Sequence, residues 1–383
     1  MKKALVHDWF TVYGGAERCV ESFINLWEDF DVFSLVDDLN ESDRKTILKG
    51  KKVQTSFIQN LPFGKKRYRN YLPLFPLAIE QLDLRDYELI ISSSSSVAKG
   101  VLTNHNQLHI VYMYSPVRYA WDLHFQYLKE SGLESGFKGF LAKYFLHKLR
   151  VWDLITANRP DYYIAISNYI AKRIKKTYNK EAFVIYPPVD TSNFNISEVT
   201  KNYYITCSRM VPYKKIDLIV RALSGTDRQL IVIGDGPEYD KIKRIASENV
   251  QLLGFVEKDQ MLKLLKESRA FIFAAEEDFG IAPVEAQACG VPVIAYGAGG
   301  ALETINGFYP QQNIEVERYS GVFFKEQTEE SLIESLNCFE QVESRFDKNV
   351  IRDNALRFRT ERFESEFKEL IDKLYRNWKL EQN

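Results

Sequence analysis

Tyr203-Tyr204-Ile205-Thr206-Cys207-Ser208-Arg209-Met210-Val211-Pro212-Tyr213-Lys214-Lys215-Ile216-Asp217 opens with a short apolar strand, Tyr203–Cys207, and runs straight into a polar turn carrying fixed cations. Open α/β sheets place such turns at the carboxyl edge of the sheet, where ligands bind. The same theme repeats along the chain. Leu230–Ile233, Val250–Leu253, Ala270–Phe273 and Val293–Ala295 read as further strands of this half, and Ala4–His7, Val32–Val36, Leu89–Ser92, Ile110–Tyr114 and Tyr162–Ile166 as strands of an earlier sheet. Longer helical patterns separate them, which is how a parallel sheet with crossover helices looks in sequence.

The fold class is therefore α/β, with two doubly wound, Rossmann-like domains. A chain of 383 residues exceeds what one core usually organises. The junction falls at Ile185-Tyr186-Pro187-Pro188-Val189-Asp190, where paired prolines forbid helix continuation. This divides the chain into 1–189, 190–355 and a tail, 356–383. Within Asn354–Lys379 the apolar residues Leu356, Phe363, Phe367, Ile371 and Leu374 have helical spacing, expected of a helix that packs back on the first domain.

Hydrophobic residues make up 45% and charged residues 27%, the composition of an ordinary globular protein rather than a disordered or fibrous one. The net charge of -1 conceals an asymmetry: residues 1–190 hold 26 Lys and Arg against 21 Asp and Glu, residues 191–383 hold 25 against 31. The N-terminal apolar run is too short for a signal peptide, and no segment approaches the roughly 20 apolar residues of a membrane span. The expected location is cytoplasmic, at the inner face of the membrane if the basic half meets anionic lipid. Cys19, Cys207, Cys289 and Cys338 lack metal-site spacing, and so do the five histidines, all before residue 150; no metal is expected. Asp29-Phe30-Asp31, a DxD string, reads as a surface turn before a strand, and Ser92–Ser96 as a polar loop.

Four features of the second half converge. Arg209 and Lys214 suit the charge that grows on a departing diphosphate. Gly234-Asp235-Gly236-Pro237-Glu238 follows a strand, its glycines allowing close approach of backbone or ligand. In Glu277-Asp278-Phe279-Gly280-Ile281-Ala282-Pro283-Val284-Glu285-Ala286 a helix starting near Ala282 or Pro283 would leave the N–H groups of Phe279, Gly280 and Ile281 open to a phosphate. Glu277 would then face sugar hydroxyls and Glu285 a ribose diol. Finally, Gly290-Val291-Pro292-Val293-Ile294-Ala295 leads into the turn Gly297-Ala298-Gly299-Gly300.

These residues, in this order, resemble glycosyltransferase family four, retaining enzymes of the GT-B fold that use nucleotide diphosphate sugars. The resemblance extends to Gly14-Gly15-Ala16-Glu17, similar to the family's GGxE turn. It implies an interdomain cleft in which Arg209 and Lys214 hold the diphosphate, Glu277 contacts the transferred sugar, Glu285 holds the ribose and Gly15 lies near the donor phosphates. His7-Asp8-Trp9 and Ser115–Asp122 look most like bacterial O-antigen and exopolysaccharide mannosyltransferases. Where relatives tend to place a histidine before the Ser/Thr-Pro pair, this chain has Tyr114. Gly14, Tyr114 and Arg118 are the acceptor-side candidates, and Gly254-Phe255-Val256 the stretch for base contacts.

The expected activity is transfer of a hexose from a donor of the GDP-mannose or UDP-glucose type to a glycan or lipid-linked oligosaccharide, without cofactor or metal. The rival is a catalytically silent, nucleotide-sugar-binding partner of a polysaccharide assembly complex. Two stretches, Leu61–Pro73 and Phe137–Lys148, mix cations with aromatics. No nucleic-acid module surrounds them, and an anionic membrane surface is their expected partner.

Overall fold

Runs of consecutive buried residues, rather than alternating ones, mark strands covered on both faces, as parallel sheets require. In the computed structural model, which describes residues 2–310 and 315–382, such runs build two sheets. The first contains Lys3–His7 (β1), Phe30–Ser34 (β2), Val53–Thr55 (β3), Leu89–Ser94 (β4), Leu108–Met113 (β5), Tyr162–Ala165 (β6) and Phe183–Val184 (β7). The second contains Tyr204–Cys207 (β8), Leu230–Ile233 (β9), Val250–Gly254 (β10), Phe271–Phe273 (β11), Val293–Tyr296 (β12), Gly307–Phe308 (β13) and Gly321–Phe324 (β14). Their orders are β3-β2-β1-β4-β5-β6-β7 and β10-β9-β8-β11-β12-β14-β13, with every recorded pairing between named strands parallel. Each sheet is doubly wound, and its strand order reverses between β1 and β4, or between β8 and β11.

The chain divides into two compact units, residues 1–188 with 363–383, and residues 189–362. In the first unit the helix Thr360–Gln382 buries Phe363, Phe367, Ile371, Leu374 and Trp378. Phe363 and Phe367 pack at a tilt against Phe23 and meet Tyr112 edge-on. The sequence pattern suggests one helical segment from Asn354, but the helix Lys348–Leu356 ends first. Phe358 and Arg359 leave it because Val189 N–H donates to the Phe358 carbonyl (2.8 Å) and Val189 bridges to Arg359.

Two polar strings also depart from their sequence reading. β2 starts at Phe30, in register opposite Lys3 of β1, so Asp31 lies in a strand rather than a turn and accepts from the Tyr87 hydroxyl (2.8 Å). Asp29, beside it, pairs with Lys3. Ser92–Ser94 belong to β4 and are wholly buried, not part of a loop. A strand tolerates them because their hydroxyls find internal partners. Ser92 Oγ donates to the Ala98 carbonyl (3.0 Å) and lies 2.8 Å from His109 Nε2, while Ser93 Oγ lies 2.9 Å from His7 Nδ1.

At the reversal of this sheet the buried carboxylate of Asp8, just after β1, accepts four backbone N–H bonds of 2.6–2.9 Å, from Ser95, Ser96, Val97 and Ala98, and one from Ser95 Oγ. Deeper in the unit Lys99 and Asp153 form a fully buried ion pair at 2.8 Å. Lys99 Nζ also donates to the Asp153 carbonyl and Thr156 Oγ1, and Asp153 Oδ2 accepts from Trp121 Nε1 and Tyr178 OH. Such satisfaction is what makes a buried pair tolerable.

His109 is buried beside these cations, and burial first, then Lys99 and Arg159, push its imidazole down to about 3. The unfolded chain binds a proton near pH 6.5 that the folded chain refuses, so His109 favours the folded state above pH 6.5 and that advantage fades as pH falls towards 3. Urea unfolding of the wild type should therefore lose roughly 2 kcal/mol more between pH 7 and 5 than unfolding of His109→Gln; equal losses would show that His109 is not the group responsible.

Candidate functional site

All the donor-side candidates of the second half lie on one edge of one sheet. Because β8 to β12 are parallel, the loops that leave their carboxyl ends emerge together: Ser208–Lys214 after β8, Gly234–Glu238 after β9, Phe255–Val256 after β10, Glu276–Gly280 after β11 and Gly297–Gly300 after β12. β8 and β11 flank the reversal of strand order, so the loops carrying Lys214 and Glu277 are the two that diverge there. This is the crevice position of open α/β sheets.

Close backbone contact joins these loops. A Cβ on Gly234 would lie 2.0 Å from the Ser208 carbonyl oxygen, and one on Gly236 would lie 2.4 Å from that of Met210. Both glycines also take positive φ, +129° and +156°, so glycine is required on two counts. Met210 N–H donates to the Asp235 carbonyl (2.9 Å), Glu238 N–H to the Met210 carbonyl (3.1 Å) and Gly234 N–H to the Gly254 carbonyl (2.8 Å). The sequence reading left open whether these glycines serve a ligand or a neighbouring chain; here they serve the neighbouring loop.

The Gly297–Gly300 turn does the same for the glutamate loop. Gly300 N–H donates to the Glu277 carbonyl (2.7 Å), and a Cβ on Gly300 would lie 2.4 Å from Phe279 Cα. Helix Ile281–Ala288 follows, with Gly280 as its N-cap at φ +90°. It starts at Ile281, one residue before the earliest expected start, since Gly280 takes the left-handed conformation that opens the turn. Its first-turn N–H groups, at Ile281, Ala282 and, but for the missing donor, Pro283, have no partner within the helix. Behind it, buried Gln287 donates to the Pro283 and Thr304 carbonyls, and Asn354 Nδ2 donates to Gln287 Oε1 (2.6 Å).

On this scaffold Lys214 and Glu277 form an ion pair, each side chain about one-fifth exposed. Arg209 is exposed, in the same loop as Lys214, and its carbonyl accepts from Val211 N–H (3.0 Å). Glu285 lies half-buried in the second turn of the helix. Cys207, at the end of β8, locates it further: burial first, then the Glu285 carboxylate, push the thiol up to about 11, while Lys214 opposes them. Phe279 is buried and packs edge-on against Phe358, so its side chain is core and only its backbone is on offer. Phe255 is exposed and Val256 half-buried. The edge thus gathers two cations, two carboxylates and a helix N-terminus, which together can hold an anionic, hydroxyl-bearing ligand.

The remaining candidates belong to the first unit. Gly14 caps helix Gly15–Leu26, and its N–H donates to Glu17 Oε2 (3.1 Å). Glu17 is itself buried beside His7, with Glu17 Oε1 3.5 Å from Nε2. Tyr114 donates to the Ala16 carbonyl (3.0 Å) and contacts Ser93 Oγ (2.8 Å). Its hydroxyl therefore braces the glycine turn, and burial holds its acidity far below that of a free phenol. Arg118 is half-buried in the loop after β5. The sequence reading passed over His7, Glu17 and Ser93 as an ensemble; adjacency of β1 and β4 is what brings them together. Among the described residues no group of three or more His, Cys, Asp or Glu is placed to hold a metal ion.

Two family models match, Glycosyltransferase Family 4 over residues 13–193 and Glycosyl transferases group 1 over residues 190–357. The chain is 28% identical over 175 residues to an uncharacterised glycosyltransferase of Methanocaldococcus jannaschii, a match covering 43% of this chain and 50% of that protein. It is 38% identical over 118 residues to a GDP-mannose-dependent monoacylated alpha-(1-6)-phosphatidylinositol monomannoside mannosyltransferase of Corynebacterium glutamicum, covering 26% of this chain and 31% of that one. These matches span half or less of the relatives' own length. Among solved structures, Anabaena HepE in complex with UDP superposes with a TM-score of 0.68 at 20% identity, covering 97% of this chain and 100% of that one; this likeness concerns the fold, which is GT-B. With two adjoining matches that together run from residue 13 to 357, the chain belongs to the family 4 glycosyltransferases.

Proposed function

We propose that this protein is a retaining hexosyltransferase that moves a sugar from a nucleotide diphosphate donor, of the GDP-mannose or UDP-glucose type, to a glycan or lipid-linked oligosaccharide of a cell-surface polysaccharide. The observation that carries the reading is the Lys214–Glu277 pair at the reversal of the second sheet, with Arg209 exposed in the loop that carries Lys214 and Glu285 in the helix that follows Glu277. An entering diphosphate competes with Glu277 for Lys214. Lys214 and Arg209 then hold the phosphates, and the freed Glu277 carboxylate accepts hydrogen bonds from the sugar hydroxyls. The N-terminus of helix Ile281–Ala288 adds its dipole to the same anion, and Glu285 takes the ribose diol.

In the reaction the bond between the anomeric carbon and the phosphate oxygen breaks as the acceptor oxygen bonds to that carbon on the same face. The acceptor's proton passes to the departing phosphate. Negative charge therefore grows where Lys214 and Arg209 stand, and fixed cations stabilise it more in the transition state than in the ground state. No protein nucleophile and no cofactor enters the scheme. The acceptor falls to the first unit, at a membrane surface if it is lipid-linked. GDP-mannose is favoured by the GDP-mannose dependence of the Corynebacterium relative, and a UDP-sugar by the nucleotide bound to Anabaena HepE.

The test is a panel of UDP-, GDP- and ADP-sugars without divalent metal, read by thermal shift and by nucleoside diphosphate release. One donor should both stabilise the protein and turn over; stabilisation without turnover, even with acceptor present, would favour a silent nucleotide-sugar-binding partner instead. Lys214→Ala should lower turnover by about 10²–10³-fold, the loss of one transition-state charge contact, with its unfolding temperature little changed because the pair is partly solvated. Full activity in folded Lys214→Ala would remove Lys214 from the mechanism.

A further inference from the structure

Helix Gly136–Thr156 in the first unit carries two apolar stripes. Gly139, Leu146, Leu149, Asp153 and Thr156 are buried. Phe137, Phe140, Tyr144, Val151 and Ile155, spaced three, four, seven and four residues apart, occupy the opposite side and face solvent, with Phe137 76% and Phe140 65% exposed. Two open phenylalanines on one helix face are costly to leave in water and mark an interaction surface. Beside this helix, towards residues 69–76, lies a groove of about 350 Å³ lined chiefly by apolar side chains, among them Leu72, Phe145 and Trp152, with Arg69 and Lys148 in its wall. No carboxylate lines it. Glu80, which accepts from Trp152 Nε1 behind the groove, is paired with Arg159.

Charge decides the occupant. Residues 61–77 and 136–152, two of the three stretches that line the groove, carry eight Lys and Arg and no Asp or Glu; the third, which brings Tyr127 and Leu133, carries Lys129, Glu130 and Glu134, so the surround stays strongly basic. A second copy of the same face would set these cations against their equals. An anionic bilayer accepts both features at once, lipid phosphates for the cations and the acyl boundary for the exposed rings. Among the described residues no helix is long and apolar enough to cross a membrane, so the contact is a surface one. We propose that this face seats on an anionic lipid bilayer, and that the groove receives one acyl chain of a lipid whose phosphate sits between Arg69 and Lys148. The inference deepens the reading above only in placing a lipid-borne acceptor beside the first unit; the lipid contact itself does not depend on sugar transfer.

The full chain is floated with vesicles of phosphatidylglycerol and phosphatidylcholine, and with phosphatidylcholine alone. Binding should need the anionic lipid, weaken with salt, and fall by about tenfold or more in Phe137→Ser/Phe140→Ser, whose changes lie on the solvent face. Phosphatidylglycerol brominated on its acyl chain should quench the fluorescence of the wild type, and Trp152→Phe should lose most of that quenching. Donor-induced thermal stabilisation, measured on the same variants, should stay at its wild-type level. No flotation, flotation unchanged in the double variant, or quenching unchanged in Trp152→Phe overturns the proposal. So does a double variant whose only defect is a changed oligomeric state or loss of binding to RNA. Failure of every sugar donor to bind would overturn the transferase reading and leave the vesicle result standing.

Discussion

Reversal of strand order is the constraint on which both units turn. In a parallel sheet every strand ends at the same edge, and where the order reverses the two flanking loops must run apart, leaving backbone donors and an opening between them. The first unit fills that opening from within. Asp8, at the end of β1, satisfies the N–H groups of Ser95 to Ala98 after β4 and is held in place by them. In the second unit the same position, between β8 and β11, holds the Lys214–Glu277 ion pair, partly in solvent. One reversal point is sealed by the protein's own anion, and the other keeps a cation that an incoming anion can claim.

Charged groups on loops keep a fixed arrangement only if the loops are held. Here the holding is done by glycines that let one loop's backbone rest on another's: Gly234 and Gly236 against Ser208 and Met210, Gly300 against Phe279. Helix Ile281–Ala288 is fixed from behind by the buried amides of Gln287 and Asn354, and Arg352 donates to the carbonyls of Ala288 and Phe194. The charge of the edge lies on four side chains, but the loops and helix that carry them are held by backbone contacts and neutral amides.

A comparable division of labour runs through helix Gly136–Thr156. Asp153, on its inner stripe, is locked by Lys99, Trp121 and Tyr178; removing Lys99 would strand a buried charge, and removing either neutral donor would cost Asp153 Oδ2 a hydrogen bond. The exposed phenylalanines lie on the side of the helix away from this polar anchor.

Much of this was readable from the residues. Short apolar runs alternating with helical patterns read as two doubly wound sheets, and Arg209, Lys214 and Glu277 stood beyond strand ends, where open α/β sheets bind ligands, with Glu285 inside the helix that follows. Local patterns fail where a distant partner decides. Ser92 and Ser93 look like loop residues until His109 and His7 arrive from neighbouring strands to bond them. The helix expected to run on from Asn354 breaks because Val189, far away in sequence, takes the Phe358 carbonyl. Tyr114, singled out for an acceptor hydroxyl, spends its own hydroxyl on the Ala16 backbone. Sequence alone determined which residues could carry charge and where strands had to lie, because composition and periodicity are local. Only the tertiary structure decided which polar groups satisfy one another and which remain open to a ligand, because hydrogen bonds between strands depend on sheet order, which no local pattern encodes.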